Sequence, residues 1–396
     1  MSGIVFNPMD PAFVADPYPT YHRLRAEDPV HKSPMGFWIL TRYDDVVAAL
    51  RDPRLAKEAI AAFVAARFGA PVPITGLSML DRDPPDHTRL RGLVSKAFTP
   101  RVVEGLRPRI QQIVDGLLDR VRDAGAMDLI DEFAYPIPVN VICEMLGVPV
   151  EDHERFKGWS LDLARGLDSI LLPVDSEIPK RSVASRSALA DYFRELIARR
   201  RSSPRPDLLS GLIAAEEAGD KLSETELLAT CILLLVAGHE TTVNLIGNGT
   251  LALLRHPDQL RRLRDNPALI GTAVEELLRF DGPVQRTARI PSEDVVIDGH
   301  AIAKGEMVMP FIGAADRDPA HFRDPDRLDI GRTDNRHIAF GLGIHFCLGA
   351  PLARLEGQIA INTLVQRLPK LALATESPEF RQSLTLRGLA SLPVRF

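Results

Sequence analysis

One segment near the middle of the chain restricts the folds open to it more than any other. SETELLATCILLLVAGHETTVNLIGNGTLALLRHP (Ser223–Pro257) opens on a capping-box pattern, Ser223 with Glu226 three residues on, and keeps a helical pattern to Arg255, before His256-Pro257. Its middle third is apolar on every side, so this helix belongs inside a core rather than on its surface. Most of the remaining sequence reads as helices as well. TRYDDVVAALRD, RPRIQQIVDGLLDRVRDAG and ALADYFRELIARRRSS each carry apolar residues at three- and four-residue spacing with charges between them. Strand-like runs are sparse and concentrate in GFWILTR and DVVIDGHAIAKGEMVMPFIG, where turn glycines break short β-branched stretches. The expected fold class is therefore mainly α with small β-sheets (α+β). No repeat, low-complexity stretch or Gly/Ser linker divides the chain, and residues 1–396 are expected to form a single domain.

Composition narrows the function classes. At 45% hydrophobic and 26% charged residues the chain has an ordinary globular balance, and a net charge of −5 argues against a polyanion-binding surface, so nucleic acid is not an expected partner. Cys143, Cys231 and Cys347 lie far apart, with no CxxC pair to suggest a disulfide framework or a structural zinc site. The start of the chain, MSGIVFNPMDPAFVADPYP, lacks a basic region followed by an apolar core. A cytoplasmic protein without a membrane anchor is the expectation.

Into the dry part of the long helix the sequence inserts Gly238, His239, Glu240, Thr241 and Thr242. Glycine costs about 1 kcal/mol against alanine in a helix, and buried polar groups need partners. Such a local violation is where function is to be sought. HE here does not open a zinc-protease motif, because the second histidine would have to stand where Val243 is.

The second unusual stretch is FGLGIHFCLGAPLARLEGQIA, Phe340–Ala360. A phosphate cradle or dinucleotide loop would need a third glycine where Phe346 stands. A thiol nucleophile would use Cys347 with a histidine brought close by the fold, and no hydrolase signature surrounds it. A soft metal ligand suits the pattern, since Gly343 and Gly349 let backbone approach a flat cofactor and the following helix start stabilises a thiolate. A buried structural cysteine is the plain alternative.

Taken whole, Phe340-x-x-Gly343-x-His345-x-Cys347-x-Gly349 resembles the cysteine loop of the cytochrome P-450 superfamily. AGHETT (Ala237–Thr242) is similar to that family's oxygen-activation motif, EELLR supplies its E-x-x-R pair as Glu276 and Arg279, and HFRDPDRLDI, DPPDHTRLRGLVSKAF, IPVNVICEMLGVP and LPVRF fall in the family's order. The resemblance runs from about Asp16 to the last residue.

It implies the P-450 fold, with haem b (iron protoporphyrin IX) between the long central helix and the cysteine loop, and Cys347 as the iron ligand. Phe340, Gly341 and Gly349 would shape the loop around the sulfur, and Ala237 and Gly238 would leave room on the distal helix. Glu240 and Thr241 would be the catalytic acid and alcohol that deliver protons. His87, Arg91, Arg289 and His345 would hold the propionates, and Glu276–Arg279 would be a buried structural clamp. The implied reaction is insertion of one oxygen atom from O2 into a lipophilic small molecule such as a macrolide, terpenoid or steroid, by hydroxylation or epoxidation. Electrons would come from a separate ferredoxin and ferredoxin reductase using NAD(P)H, and Arg89, Arg91, Lys96, Arg101, Arg107 and Arg109 would form the docking patch of a monomeric enzyme. The substrate pocket would be lined by AAFVAARFGAPVPITGLSML, WSLDLARGLDSILLP, Leu233–Ala237, GPVQRTA and Leu386–Leu389, with Arg67, Gln285 and Arg286 as polar handles. A peroxide-driven haem oxidase, a non-catalytic haem protein and a cysteine hydrolase are the rivals.

Overall fold

A computed structural model of the chain describes Ile4 and residues 6–68, 76–168, 177–217 and 222–396. The helices that build the site are, in chain order, α1 (Asp86–Ser95), α2 (Arg107–Val121), α3 (Pro136–Leu146), α4 (His153–Gly166), α5 (Glu177–Ser202), α6 (Glu224–Arg255), α7 (Ile270–Asp281) and α8 (Ala350–Arg367). The long helix expected from the sequence is α6. Its capping box forms as the pattern requires: Glu226 N–H donates to Ser223 Oγ at 3.3 Å, and Ser223 N–H to Glu226 Oε2 at 2.8 Å. Among the described residues α6 is also the one helix long and apolar enough to cross a bilayer, yet 72% of that apolar window is buried by protein.

The strands are short. β1 (Val30–Lys32) runs antiparallel to β2 (Phe37–Leu40), which runs parallel to β6 (Met307–Pro310), placing Phe37 opposite Met307. β4 (Val295–Ile297) and β5 (His300–Ile302) form a hairpin whose turn residues, Asp298 and Gly299, have φ of 45° and 77°. That left-handed pair is what a two-residue turn matching strand twist demands, hence Asp-Gly. β3 (Ala126–Asp128) pairs with β8 (Pro393–Arg395), which pairs with β7 (Ala372–Leu373). The two strand-rich stretches seen in the sequence contain β2, β4, β5 and β6. β1, β3, β7 and β8 are two or three residues long, too short to display a period of two.

The chain divides into two compact units built from interleaved segments: Met1–Leu55, Leu106–Ile137 and Thr241–Phe396 form one, Ala56–Gly105 and Pro138–Glu240 the other. In the first unit α2 presents Ile110, Ile113, Val114, Leu117, Leu118 and Val121, one apolar stripe, and packs on α8. Glycines set how closely the helices of this core approach. A Cβ on Gly357 would lie 3.0 Å from Leu245, and one on Gly249 would lie 3.0 Å from Leu277 and 3.2 Å from Ile361. In the second unit α4 packs along α5, and Gly238 of α6 meets α3, where a Cβ would come within 2.8 Å of Ile142. Bringing α3 this close accounts for the helix glycine on packing grounds alone.

Candidate functional site

Cys347 stands out from the other two cysteines by its environment. Cys143 and Cys231 are buried, and burial pushes both thiols up to about 12, which makes them inert apolar filler. Cys347 is half-buried, on the loop three residues before α8 begins. Its N–H donates to the Phe340 carbonyl at 2.9 Å, which closes the loop. Gly341 and Gly343 take φ of 68° and 71°, and a Cβ on Gly343 would sit 2.6 Å from the Leu50 carbonyl oxygen. Both conformation and space therefore require glycine at 343. A Cβ on Gly349 would lie 4.0 Å from the sulfur, so the bare backbone there keeps one side of Cys347 open.

Phe340 packs against the core cluster that includes Leu245, Leu253, Leu277 and Ile361. The Arg354 guanidinium lies 4.5 Å from its ring centroid, a cation–π arrangement. Arg354 in turn donates to both oxygens of Glu275, at 2.7 and 2.8 Å, and Glu275 also meets His337 at 2.9 Å. Burial works to raise the Glu275 pKa, but the His337 and Arg354 contacts outweigh it and hold the carboxyl down at about 2. The sequence reading missed this clamp on Phe340, for Glu275, His337 and Arg354 are distant in the chain and carry no motif spacing.

Beside it lies the expected clamp. Glu276 and Arg279 side chains are 0% exposed and joined by two hydrogen bonds of 2.8 and 2.9 Å. Arg279 also donates to the carbonyls of Asp316 at 2.9 Å and Pro325 at 2.8 Å, while Arg332 and the Asp329 N–H donate to Glu276 at 3.0 Å. Asp316 accepts the Ile338 N–H at 2.7 Å, and Ile338 accepts the Gly341 N–H at 2.7 Å. A chain of hydrogen bonds thus runs from the buried pair to the cysteine loop. Its role is to fix the loop.

On α6, residues 242–250 are buried, and the surface left open follows Leu233, Val236, Ala237 and Thr241, a single face at helical spacing. Ala237 is exposed in the middle of a core helix. Glu240, next to Thr241, is buried, and His239 donates its Nδ1–H to the Leu235 carbonyl at 2.7 Å. Thr241 belongs to the first unit with Cys347, and Ala237, Gly238 and Glu240 to the second.

Of the four expected propionate residues, Arg289 and His345 are in the first unit and His87 and Arg91 in the second. Arg289 is buried, pairs its backbone with Val308 at 2.8 and 2.9 Å, and donates to Thr287 Oγ1 at 3.1 Å and the Ala288 carbonyl at 2.8 Å. His87 and Arg91 sit one turn apart on α1; burial first and the Arg91 charge second hold His87 below its ordinary pKa. His87 is then a neutral donor at pH 7, not a cation. His345 is half-buried.

One expectation changes, and two others are placed more closely. Arg89, counted with the basic docking surface, donates to Glu226 at 3.2 Å and to Asp86 at 2.9 Å, so its charge is already answered within the protein. Gln285, expected as a polar handle, is buried, donates to the Gly282 carbonyl at 2.9 Å, and presses on Gly313. The tail near Leu386–Leu389 is tied to α6, Asn248 Nδ2 donating to the Arg387 carbonyl at 3.0 Å. The Arg67 side chain, residues 69–75 and 169–176 of the expected pocket lie outside the described residues.

These features suit haem b. A cysteine with an open side on a glycine-shaped loop can offer a thiolate to iron, and an open apolar strip with one hydroxyl on a core helix is a surface for a flat apolar group.

The family model described as Cytochrome P450 matches residues 30–394. Cytochrome P450 107B1 of Saccharopolyspora erythraea is 48% identical over 402 residues, covering 98% of this chain and 96% of that protein. Vitamin D(3) 25-hydroxylase of Pseudonocardia autotrophica is 49% identical over 390 residues, covering 96% and 94%. Among solved structures, the myxobacterial cytochrome P450 CYP267B1 in complex with myristic acid matches with a TM-score of 0.92 at 48% identity, covering 98% of each chain.

Proposed function

The chain belongs to the cytochrome P450 family, and from that premise we propose that it hydroxylates or epoxidises a lipophilic natural product with electrons from a ferredoxin and its NAD(P)H-dependent reductase. It is a haem b monooxygenase. The haem, when bound, supplies the activation of O2, which sends one oxygen atom into the substrate and the other into water at the expense of two electrons and two protons.

The chain's own residues carry the rest. Cys347 holds the iron, and the geometry of its loop is the observation that supports this most directly. Phe340, pinned by Arg354, keeps water from the sulfur. Thr241 holds a proton at its hydroxyl on the open face of α6, and Glu240 passes protons to it. Arg91, Arg289, His87 and His345 bind the propionates. Ala237 keeps that face of the helix low, Gly238 instead lets α3 approach through Ile142, and Gly341 and Gly349 give the loop its path. Lys96 and Arg101 in one unit and Arg107 and Arg109 in the other are exposed cations whose charge suits an acidic ferredoxin, Arg109 also donating to Gln112 at 2.6 Å. Residues 1–396 act as one functional domain, since each unit draws on separate stretches of the chain.

The substrate is an apolar molecule of moderate size. One similar protein is named as a vitamin D(3) hydroxylase, and one similar structure holds a myristic acid, which supports long apolar ligands. The decisive measurement is the spectrum of the reduced, carbon-monoxide-treated protein: a thiolate-type band is expected, lost in Cys347→Ser. A histidine-type spectrum, or no pigment, ends the proposal. Thr241→Ala should keep its haem and divert reducing equivalents to peroxide; unchanged coupling would count against the relay.

A further inference from the structure

The basic side chains of α5 are mostly answered where they stand. Lys180 pairs with Glu177 at 2.8 Å, Arg181 with Asp162 at 2.8 Å and Arg194 with Asp191 at 2.6 Å. Arg200 is buried, and Asp207 at 2.9 Å and the Gly147 carbonyl satisfy it. Arg186 breaks this rule. Leu189, Ala190 and Phe193 follow it at three, four and seven residues and are all buried, as is Ser185 before it. Helical periodicity therefore puts a guanidinium on the stripe that α5 otherwise gives to its core.

Arg186 is half-buried and makes no hydrogen bond and no ion pair among the described residues. Burial lowers its pKa, and the one carboxylate that acts the other way is Asp81. That carboxylate is committed to a helix cap, accepting the Ser78 N–H at 3.2 Å and the Ser78 hydroxyl at 2.7 Å. A guanidinium does not shed its proton, so it stays a cation that the described residues answer only through the charge of Asp81, with no hydrogen bond. Beside Asp81, Leu80 keeps 44% of its surface open, which adds an apolar surface to the ionic one.

We propose that Arg186 anchors the carboxylate of a lipophilic monocarboxylic acid bound to this unit. A planar guanidinium receives a carboxylate in two parallel hydrogen bonds, and the pair removes the unpaired charge from the helix stripe. A doubly charged phosphate is disfavoured, because Asp81 already adds negative charge to the same site. The inference rests on the monooxygenase assignment only in calling this acid a substrate.

Two acid–alcohol pairs test it on the haem-loaded enzyme by titration calorimetry: dodecanoate with 1-dodecanol for an open chain, and a steroid carboxylate with its alcohol for a fused ring. The wild type should bind at least one acid about tenfold or more tightly than its alcohol, the size expected of a charged hydrogen-bonded pair. Arg186→Gln should abolish that preference while leaving the alcohol unaffected, and Arg186→Lys should keep part of it. Thermal unfolding controls for folding, and Arg186→Gln should melt no lower than wild type, since it removes an unpaired charge. Equal affinity for acid and alcohol in both pairs, or undiminished acid binding by Arg186→Gln, overturns the proposal. The preference for acid over alcohol is read from binding alone, apart from turnover. Acid preference without turnover would thus count against the monooxygenase assignment alone, and turnover without acid preference against Arg186 alone.

Discussion

Around Arg279 the buried Glu276 is answered from several sides, whereas Glu356, on α8 of the same unit, is buried with almost nothing among the described residues to meet it. Glu276 receives Arg279, Arg332 and the Asp329 N–H, and Arg279 spends its remaining donors on carbonyls of the segment that leads to the cysteine loop. Glu356, on α8, lies beside the close approach of Gly357 to Leu245 and Val274. Among the described residues neither of its oxygens finds a hydrogen-bond partner of sound geometry, only the Thr242 hydroxyl opposes the effect of burial, and the carboxyl is pushed up to about 8. One region holds a carboxylate–guanidinium pair bonded on all sides; the other holds a carboxyl that burial pushes toward its neutral form, next to the helix that carries Thr241. The contrast separates two uses of buried polar groups in one core. Full pairing fixes a backbone path, and incomplete pairing keeps a group in the protonation state that water would not give it.

The sharpest way to break the comparison is Arg279→Met. It leaves Glu276 buried with fewer partners and frees the carbonyls of Asp316 and Pro325, which should cost roughly 3–5 kcal/mol in urea unfolding and loosen haem retention. A loss below about 1 kcal/mol would show that the pair is ornamental. Glu356→Gln should act in the opposite direction. The folded pKa of Glu356 lies above its ordinary value of 4.5, so the unfolded chain ionises first and stability falls as pH rises from 4.5 to about 8. Replacing the acid removes that loss, which reaches about 3 kcal/mol at pH 7 as an upper bound. The two proteins should be equally stable below pH 4.5, and unfolding curves at pH 5 and pH 8 give the check. A stability difference that does not grow with pH would mean that Glu356 is ionised in the fold.

Much of the scaffold was legible because it depends on local pattern. The capping box of α6, the Asp-Gly hairpin at 298–299 and the glycines around Cys347 each need only neighbouring residues to declare themselves. Glu276 and Arg279 were legible for the same reason, sharing one helix face. Glu275, His337 and Arg354 were not, because they meet from three segments and no spacing joins them. Glu356 was hidden differently: LARLEGQIA reads as an ordinary amphipathic helix, and only the packing of α6 and α7 around it shows the acid to be inside. Arg89 misled because a positive count along a sequence cannot show that Glu226 waits on another helix.

The rim of the Arg279 network sharpens the comparison at its low end. Arg262 and Asp329 form an ion pair of 2.7 Å with side chains 45% and 33% exposed, and the Asp329 backbone is itself bonded to Glu276. Position in the network would make Arg262 important; exposure would make it nearly silent. Water screens both charges and competes for both, and ordering two long side chains costs entropy that the contact barely repays. Arg262→Ala should therefore change unfolding free energy by no more than about 0.5 kcal/mol, with an effect that shrinks further in high salt. A loss comparable to that of Arg279→Met would mean that the network is stabilised through its charges as a connected whole, and that burial is not what divides its strong members from its weak ones.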